Sequence, residues 1–222
     1  MKTSRLFLQW LTVLLLFVLN VVDTMAADPY PSSDTTQAVC QNSNEPYGVN
    51  LTDSSTYDWS INDPAAGTIT AGSTPNLITV KWTKPGDFVL QVVETNKYHC
   101  VGDTVSVQVK VNPLPVVDSI AATTCSGVAA GVALPVLSAN GLVVDKWDIT
   151  AVVASGLTGT ATQGLAISVP GAIATDEFAN PTTTPLTVVY TVTPYTGACA
   201  GEPFTVTITV NPRVNTSPIY HN

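Results

Sequence analysis

Four cysteines are the residues of this 222-residue chain with the most direct chemistry: Cys40, Cys100, Cys125 and Cys199. Protein thiols form disulfides, bind metals or act as nucleophiles. The sequence has no Cys-x-x-Cys pair and no cysteine–histidine spacing typical of a zinc site. Because an even number of cysteines behind an export signal indicates disulfides, we predict that all four are oxidised, with reactive or metal-binding thiols as the alternative.

The export signal is predicted from the first residues of the chain. Two basic residues precede an apolar run over 6–22, and Thr24-Met-Ala26 offers small residues for signal peptidase. A retained anchor is the alternative, but about 17 apolar residues are few for spanning a bilayer. We predict a signal peptide over 1–26, a flexible lead-in over 27–38, and no membrane insertion after cleavage.

A catalytic cysteine is a weak hypothesis for this chain. His99 adjoins Cys100 and suggests a nucleophile with its base. However, neighbouring residues of an extended chain point to opposite faces, and an oxidised cysteine cannot act as a nucleophile. The sequence also lacks the Gly-x-Ser-x-Gly elbow of serine hydrolases. We predict no catalytic residue and no enzymatic activity.

Four acids are the remaining candidates for chemistry: Asp145, Asp148, Asp176 and Glu177. Paired carboxylates cleave glycosidic bonds, and carboxylate oxygens also hold Ca²⁺. No EF-hand pattern accompanies them, and we expect these acids on a solvated face or loop. We predict no metal site and no cofactor, with Ca²⁺ at loops between domains as the alternative.

Aromatic side chains have two competing roles. Trp59 and Trp147 follow the first cysteine of their halves by 19 and 22 residues, and we predict that both occupy equivalent core positions. Trp82 shares a strand face with Ile78 and Val80, which also favours the core. In the opposite register, Trp82 would be exposed. We predict for that case a ligand-stacking platform of Trp82 with Tyr57 or Tyr98.

The charge of the chain argues against nucleic-acid partners. Lys and Arg total 8 and Asp and Glu total 16, which gives a formal net charge of −8. Binding a phosphate backbone normally requires clustered Lys or Arg, and here the basic residues are scattered. We predict no nucleic-acid partner.

Two similar stretches organise the rest of the chain, 86–113 and 186–212. In each, two runs with alternating apolar residues flank a turn, the period of half-buried strands. The two stretches share a Cys-x-Gly-acid motif and a Val-Asn-Pro ending, and they contain Cys100 and Cys199 respectively. The similarity indicates an internal duplication.

Short strands and turns rich in Gly, Pro and Asn fill both copies, and no segment has a helical period. The strands are predicted at 48–51, 56–61, 68–71, 77–82, 87–94 and 104–111, and then at 116–121, 131–137, 143–153, 159–163, 166–169, 186–193 and 204–210. Such a pattern favours a sandwich or barrel. We predict two β domains over 39–113 and 114–213, with a C-terminal tail over 214–222.

The duplication also selects a disulfide pairing. Cys100 and Cys199 are equivalent in the two copies, and Cys40 and Cys125 each lie near the start of one. One bridge per domain is the simplest arrangement. We therefore predict Cys40–Cys100 and Cys125–Cys199.

Several short motifs stand out in the two copies. They are Tyr57-Asp-Trp59-Ser-Ile, Gly86-Asp-Phe-Val-Leu-Gln-Val and Cys100-Val-Gly-Asp in the first copy, and Lys146-Trp147-Asp-Ile, Val189-Tyr-Thr-Val-Thr-Pro194 and Cys199-Ala-Gly-Glu-Pro-Phe-Thr-Val in the second. In these residues both copies resemble PKD-like, immunoglobulin-fold repeat domains of bacterial secreted adhesins and gliding-associated surface proteins. The resemblance implies an all-β chain of two tandem immunoglobulin-like (PKD-like) β-sandwich domains after an N-terminal signal peptide. It transfers no catalytic residue.

The function that these observations favour is non-enzymatic. We expect an exported structural or adhesive protein, extracellular or at the cell surface with the periplasm as the alternative, that acts as a spacer, an adhesion element or a fibre subunit. Its partners would be other surface proteins or copies of itself, with glycans as a further candidate. A carbohydrate- or protein-binding accessory module of a larger secreted system is the alternative.

Overall fold

A computed structural model of the chain describes residues 36–214, 216–219 and 221. Throughout this part of the chain the regular elements are strands, without a helix, so the all-β prediction is confirmed. The first half, here called repeat 1 (37–112), contains β1 (Gln37–Cys40), β2 (Asn44–Gly48), β3 (Thr56–Ile61), β4 (Gly67–Ala71), β5 (Leu77–Trp82), β6 (Gly86–Thr95) and β7 (Val105–Asn112). The second half, repeat 2 (120–211), contains β8 (Ile120–Cys125), β9 (Lys146–Val153), β10 (Gly164–Ile167), β11 (Leu186–Thr196), β12 (Cys199–Ala200) and β13 (Phe204–Asn211).

Repeat 1 is built from two sheets. One sheet has the order β1-β7-β6-β3 and the other β2-β5-β4. The placement of β2, β5 and β4 in one sheet and of β3, β6 and β7 in the other is that of strands B-E-D and C-F-G in immunoglobulin domains. The first strand, β1, runs parallel to the last strand, β7. All other neighbours are antiparallel.

The core of repeat 1 lies between its sheets and follows from simple alternation. In β5, Ile78, Val80 and Trp82 are buried while the intervening residues face outward. Phe88 and Leu90 of β6 contribute the opposite wall. Successive side chains of a strand point to opposite faces, so the sequence pattern places these residues inside.

Repeat 2 contains one sheet, of order β10-β9-β11-β13-β8, with β12 paired to β11. Its first and last strands, β8 and β13, are also parallel. Segments without strand structure cover the inner face of the sheet, and Leu134, Val144, Ile173 and Phe178 from these segments are buried in its core. The strands predicted at 131–137 and 159–163 do not form, because these segments insert single side chains rather than a paired backbone.

The two repeats have separate apolar clusters. One draws its residues from 39–111 and the other from 117–210. Residues Asp34–Asn222 form a single compact unit, whereas Met1–Ser33 lie outside the described residues. The domain boundaries at 113 and 213 therefore stay predictions, as does the tail.

The signal peptide predicted over 1–26 and most of the lead-in over 27–38 lie outside the described residues. Among the residues that are described, there is no helix with the length and apolar character needed to cross a membrane.

Candidate functional site: the cysteines at the repeat junction

A disulfide joins the two repeats. Cys40, at the end of β1, is bonded to Cys199, in β12, over a sequence separation of 159 and with a Cα–Cα distance of 5.5 Å. Cys100 and Cys125 are free and exposed. The bridge therefore links one repeat to the other rather than closing a loop within either.

The predicted pairs Cys40–Cys100 and Cys125–Cys199 are wrong for a physical reason. Because β1 runs parallel to β7, Cys40 lies level with Asn112, at the end of β7. Cys100 precedes Val105, where β7 begins. Seven residue steps along a strand span about 23 Å, whereas a disulfide tolerates at most about 6.8 Å between Cα atoms. The two cysteines of one repeat lie at opposite ends.

Cys40 and Cys125 occupy equivalent positions in the two repeats. Cys40 is level with Asn112, and Cys125 is level with Asn211. The residue after each cysteine donates its N–H to the carbonyl of that asparagine, at 2.8 and 2.9 Å. The second residue after each has a positive φ, 66° and 70°. Each cysteine thus marks the end of its repeat where the last strand finishes, here called the trailing end.

Cys100 and Cys199 are equivalent in the same sense. The glycine two positions after each donates its N–H to the carbonyl of Glu94 in repeat 1 or Pro194 in repeat 2, at 2.8 Å in both cases. Cys100 lies in the connection between β6 and β7, and Cys199, in β12, lies in the connection between β11 and β13. This connection is the leading end of each repeat. The observed disulfide therefore connects the trailing end of repeat 1 to the leading end of repeat 2.

The segment between the repeats packs against the leading end of repeat 2. The backbone of Pro115 lies so close to Gly201 that a side chain at Gly201 would overlap the Pro115 carbonyl. Thr205 donates its backbone N–H to the Ser119 hydroxyl at 3.2 Å. Asn140 donates its side-chain amide to the Leu114 carbonyl at 2.9 Å. These interactions hold the linker beside the disulfide.

Trp82 is a core residue, which corrects its proposed place in a ligand-stacking platform. Its side chain is fully buried, with an exposure of 0%. The indole N–H donates to the Tyr47 hydroxyl at 3.1 Å, and the ring stacks on Phe88 at a centroid distance of 5.9 Å. Burial raises the pKa of Tyr47 to about 12. No face of this indole is free to contact a sugar.

Trp59 and Trp147 are not equivalent, contrary to the prediction. Trp59 pairs with Val92, whereas Trp147 pairs with Pro194, two residues further along the corresponding strand. The residue of repeat 1 that matches Trp147 is Tyr57, opposite Glu94. Trp147 is buried, Trp59 is only partly buried, and the buried Nε1 atoms of both have no hydrogen-bond partner.

A cleft lies beside the leading end of repeat 1. Its volume is about 390 Å³, and its lining includes Tyr57, Glu94, Asp103 and Val105. The Tyr57 hydroxyl accepts the backbone N–H of Thr52 at 2.8 Å, which fixes the ring. Tyr98, the third member of the proposed platform, is 73% exposed but does not line this cleft. Sequence patterning gave no signal for the cleft, because it is formed by a turn and a loop.

The four candidate acids do not form one site. Asp176 is buried in repeat 2, where its carboxylate accepts the Tyr190 hydroxyl at 2.5 Å and the Thr162 hydroxyl at 2.6 Å. Burial, and then this hydrogen bond, raise the pKa of Tyr190. Glu177 adjoins Asp176 but is exposed. The sequence predicts Asp176 on a solvated face or loop, whereas the structure places it in a buried hydrogen-bond network.

Asp145 and Asp148 have separate structural roles. Asp145 accepts the backbone N–H of Gly197 at 2.8 Å. Asp148 accepts the Tyr195 hydroxyl at 2.6 Å, and this bond lowers the pKa of Asp148. Within residues 36–214 and the described tail positions, no group of three or more His, Cys, Asp or Glu residues could hold a metal ion.

Comparison with known protein families supports the resemblance seen in the sequence. Residues 122–214 match the family model described as a PKD-like domain. The match covers all but the first two residues of repeat 2 and includes both of its cysteines. No curated protein shows significant similarity to the chain.

Solved structures with a similar course of the chain include immunoglobulin-like and fibronectin-like domains. Human mucin-like protocadherin EC1-2 is 12% identical, with 80% of this chain and 96% of that chain covered and a TM-score of 0.28. The D00-D0 domain of intimin is 12% identical, with 79% and 95% covered and a TM-score of 0.31. A Bacteroides ovatus protein, SGBP-B, solved with a mixed-linkage heptasaccharide, is 15% identical, with 83% and 46% covered and a TM-score of 0.33. Scores this low assign no function to the chain.

Proposed function

We propose that this chain is a non-enzymatic, extracellular or cell-surface structural protein in which two repeats form a covalently locked spacer. The observation that carries the proposal is the Cys40–Cys199 disulfide across the junction. PKD-like domains are typical of surface and adhesion proteins, and disulfides persist in oxidising compartments. The partners of such a spacer are other surface proteins or copies of the chain.

The path of the chain explains what the bridge does under load. Because the first and last strands of each repeat are parallel, the chain enters a repeat at its leading end and leaves at its trailing end. A pulling force applied at the two ends of the chain reaches Cys40 before most of repeat 1, and it reaches Cys199 before most of repeat 2. The disulfide carries this force directly between Cys40 and Cys199, so the residues between them are not stretched.

Single-molecule force spectroscopy tests this function. The chain between Cys40 and Cys199 has a separation of 159 residues, which corresponds to roughly 520–570 Å of extended chain. We expect this length to be hidden in the oxidised protein and to appear after reduction or in the Cys40→Ser/Cys199→Ser variant. The Cys100→Ser/Cys125→Ser variant is the matched control and should extend like the unmodified chain. Full extension of the oxidised protein would contradict the proposal.

A second function, glycan or peptide binding by an accessory module, is favoured by the cleft beside Tyr57. The cleft offers one aromatic ring and two carboxylates, Glu94 and Asp103, to a ligand. Aromatic rings stack on apolar sugar faces, and carboxylates accept hydrogen bonds from hydroxyls. We expect Tyr57→Ala to abolish any such binding on a glycan array and Tyr98→Ala to leave it unchanged. Equal loss in both variants, or no binding by the unmodified chain, would remove this candidate.

A further inference from the structure

Each of the two free cysteines is the structural counterpart, in the other repeat, of one of the cysteines that form the bridge. In the observed bridge a trailing-end cysteine, Cys40, is bonded to a leading-end cysteine, Cys199. The remaining trailing-end cysteine is Cys125, and the remaining leading-end cysteine is Cys100. Both are exposed. One thiol of each kind is therefore presented at opposite ends of the pair of repeats.

We propose that Cys125 of one copy of this chain forms a disulfide with Cys100 of a second copy, which links copies head to tail. The template for this contact is the junction within the chain. The backbone around Cys125 reproduces the turn at Cys40, with matching hydrogen bonds to Asn211 and Asn112. The turn at Cys100 likewise reproduces the hydrogen bond of the turn at Cys199.

The described residues beside Cys100 differ in exposure from those beside Cys199. Five residues after the leading-end cysteine, Val105 of repeat 1 is 59% exposed, whereas Phe204 of repeat 2 is 4% exposed. In repeat 2, Pro115 lies against Gly201, and Val117 packs against the core. In repeat 1 the cleft beside Tyr57 opens next to Val105. A second copy bonded at Cys100 would contact this part of the surface.

Intramolecular pairing of Cys100 with Cys125 is excluded by the geometry. Cys100 is at the leading end of repeat 1, and Cys125 is at the trailing end of repeat 2. A whole repeat separates each of them from the junction. A contact between these two different surfaces is heterologous, and such contacts generate open chains or rings rather than closed two-fold dimers.

Bond formation requires an oxidant, and a small disulfide such as oxidised glutathione supplies it. The thiolate of Cys100 attacks the glutathione disulfide, forming a mixed disulfide and releasing one glutathione thiolate. The thiolate of Cys125 from the second copy then attacks the Cys100 sulfur and releases the second glutathione. The two thiols lose two protons and two electrons in total, and glutathione disulfide becomes two glutathione molecules.

The test uses the full chain, treated with oxidised glutathione and separated on non-reducing gels. We expect a ladder of oligomers that collapses to monomer on reduction. After trypsin digestion, the peptide over 98–110, which holds Cys100, should be linked to the peptide over 111–146, which holds Cys125. The Cys100→Ser/Cys125→Ser variant should remain monomeric and fold normally. Glutathione adducts without a ladder would overturn the proposal.

Mixing the two single variants separates a specific junction from random oxidation. Cys100→Ser keeps only the Cys125 thiol, and Cys125→Ser keeps only the Cys100 thiol. We expect the mixed dimer to exceed the two symmetric dimers by about tenfold, a preference worth about 1.4 kcal/mol. If the mixed dimer makes up only the half that random pairing gives, the proposal is wrong.

This inference deepens the proposed spacer function and rests on it. The disulfide between copies can be disproved without disproving the spacer function. The Cys100→Ser/Cys125→Ser variant retains the Cys40–Cys199 bridge, so force spectroscopy on it tests the spacer alone. If only this inference were wrong, oxidation of the full chain would give no oligomers, but the 159-residue segment between Cys40 and Cys199 would still not extend under force.

Discussion

Gly201 lies directly against Pro115, and the contact leaves no space for a Cβ atom. A Cβ built on Gly201 would overlap the Pro115 carbonyl oxygen and would approach the Pro115 and Pro194 rings at 3.1 Å. The position of the linker thus depends on the absence of a side chain at Gly201. The equivalent residue of repeat 1, Gly102, has more room, since a Cβ there meets only the Glu94 carbonyl at 3.3 Å.

Gly201→Ala should therefore displace the linker, whereas Gly102→Ala serves as the matched control. We expect Gly201→Ala to lower the free energy of unfolding by about 1–3 kcal/mol, the usual cost of overpacking. Urea denaturation of both variants measures the difference. Equal effects of the two substitutions would show that the linker contact contributes nothing.

Trp82→Ala should strongly destabilise repeat 1. The substitution removes a fully buried ring that stacks on Phe88 and leaves a cavity between the sheets. We expect a loss of about 3–5 kcal/mol, measured by denaturation. Trp59→Ala is the comparison, and because Trp59 is only partly buried its loss should be smaller.

Removal of the Cys40–Cys199 bridge should destabilise the folded chain through the unfolded state. A loop of 159 residues corresponds to about 5 kcal/mol by the chain-entropy relation. We expect a loss of up to this size in Cys40→Ser/Cys199→Ser, and no comparable loss in Cys100→Ser/Cys125→Ser. A tryptic map of the non-reduced protein should link the peptide ending at Lys81 to the peptide over 147–213. Finding Cys40 linked to Cys100 instead would contradict the connectivity.

Alkaline pH should destabilise repeat 1 through Tyr47. Burial raises the pKa of Tyr47 from 10.0 to about 12, so the folded state holds the phenolic proton more tightly than the unfolded chain does. The stability from this group is complete below pH 10 and is lost as the pH rises from 10 to about 12.

Tyr47→Phe tests the alkaline effect, because phenylalanine has no proton to lose. We expect a lower free energy of unfolding at neutral pH, because the Trp82 N–H loses its acceptor, but a smaller decrease between pH 10 and 12 than in the unmodified chain. Identical slopes in Tyr47→Phe and in the unmodified chain would assign the alkaline effect to other groups.

Local patterns in the sequence predicted most of the strands, but they missed β1, displaced β2 and β8, and predicted two strands that do not form. They predicted the long-range pairing poorly. The alternation at 56–61 and 77–82 matches β3 and β5 in full. The disulfide prediction failed because it assumed that both cysteines of a copy lie near each other. Nothing local in the sequence around Cys40 specifies that β1 runs parallel to β7, and this pairing decides the end of the repeat at which Cys40 lies.

Counting residues also misled the comparison of the two copies. The spacing from Cys40 to Trp59 differs by three residues from that between Cys125 and Trp147, and loops absorb the difference, so the indoles shift by two positions along the strand. The sequence pattern did not predict the burial of Asp176 either, because its hydrogen-bond partner Tyr190 is 14 residues away and on a strand. Such polar networks depend on which loop covers which sheet, and only the assembled fold specifies that.

The parallel pairing of first and last strands gives every repeat a polarity. Repeats joined in this way all point in the same direction. Each added copy uses one thiol at one of its ends and presents another free thiol at its opposite end. An open assembly of this kind would always keep one free thiol at each end, and the sulfur chemistry itself sets no length. Growth would end where the assembly closes into a ring or where a unit without the next cysteine is added.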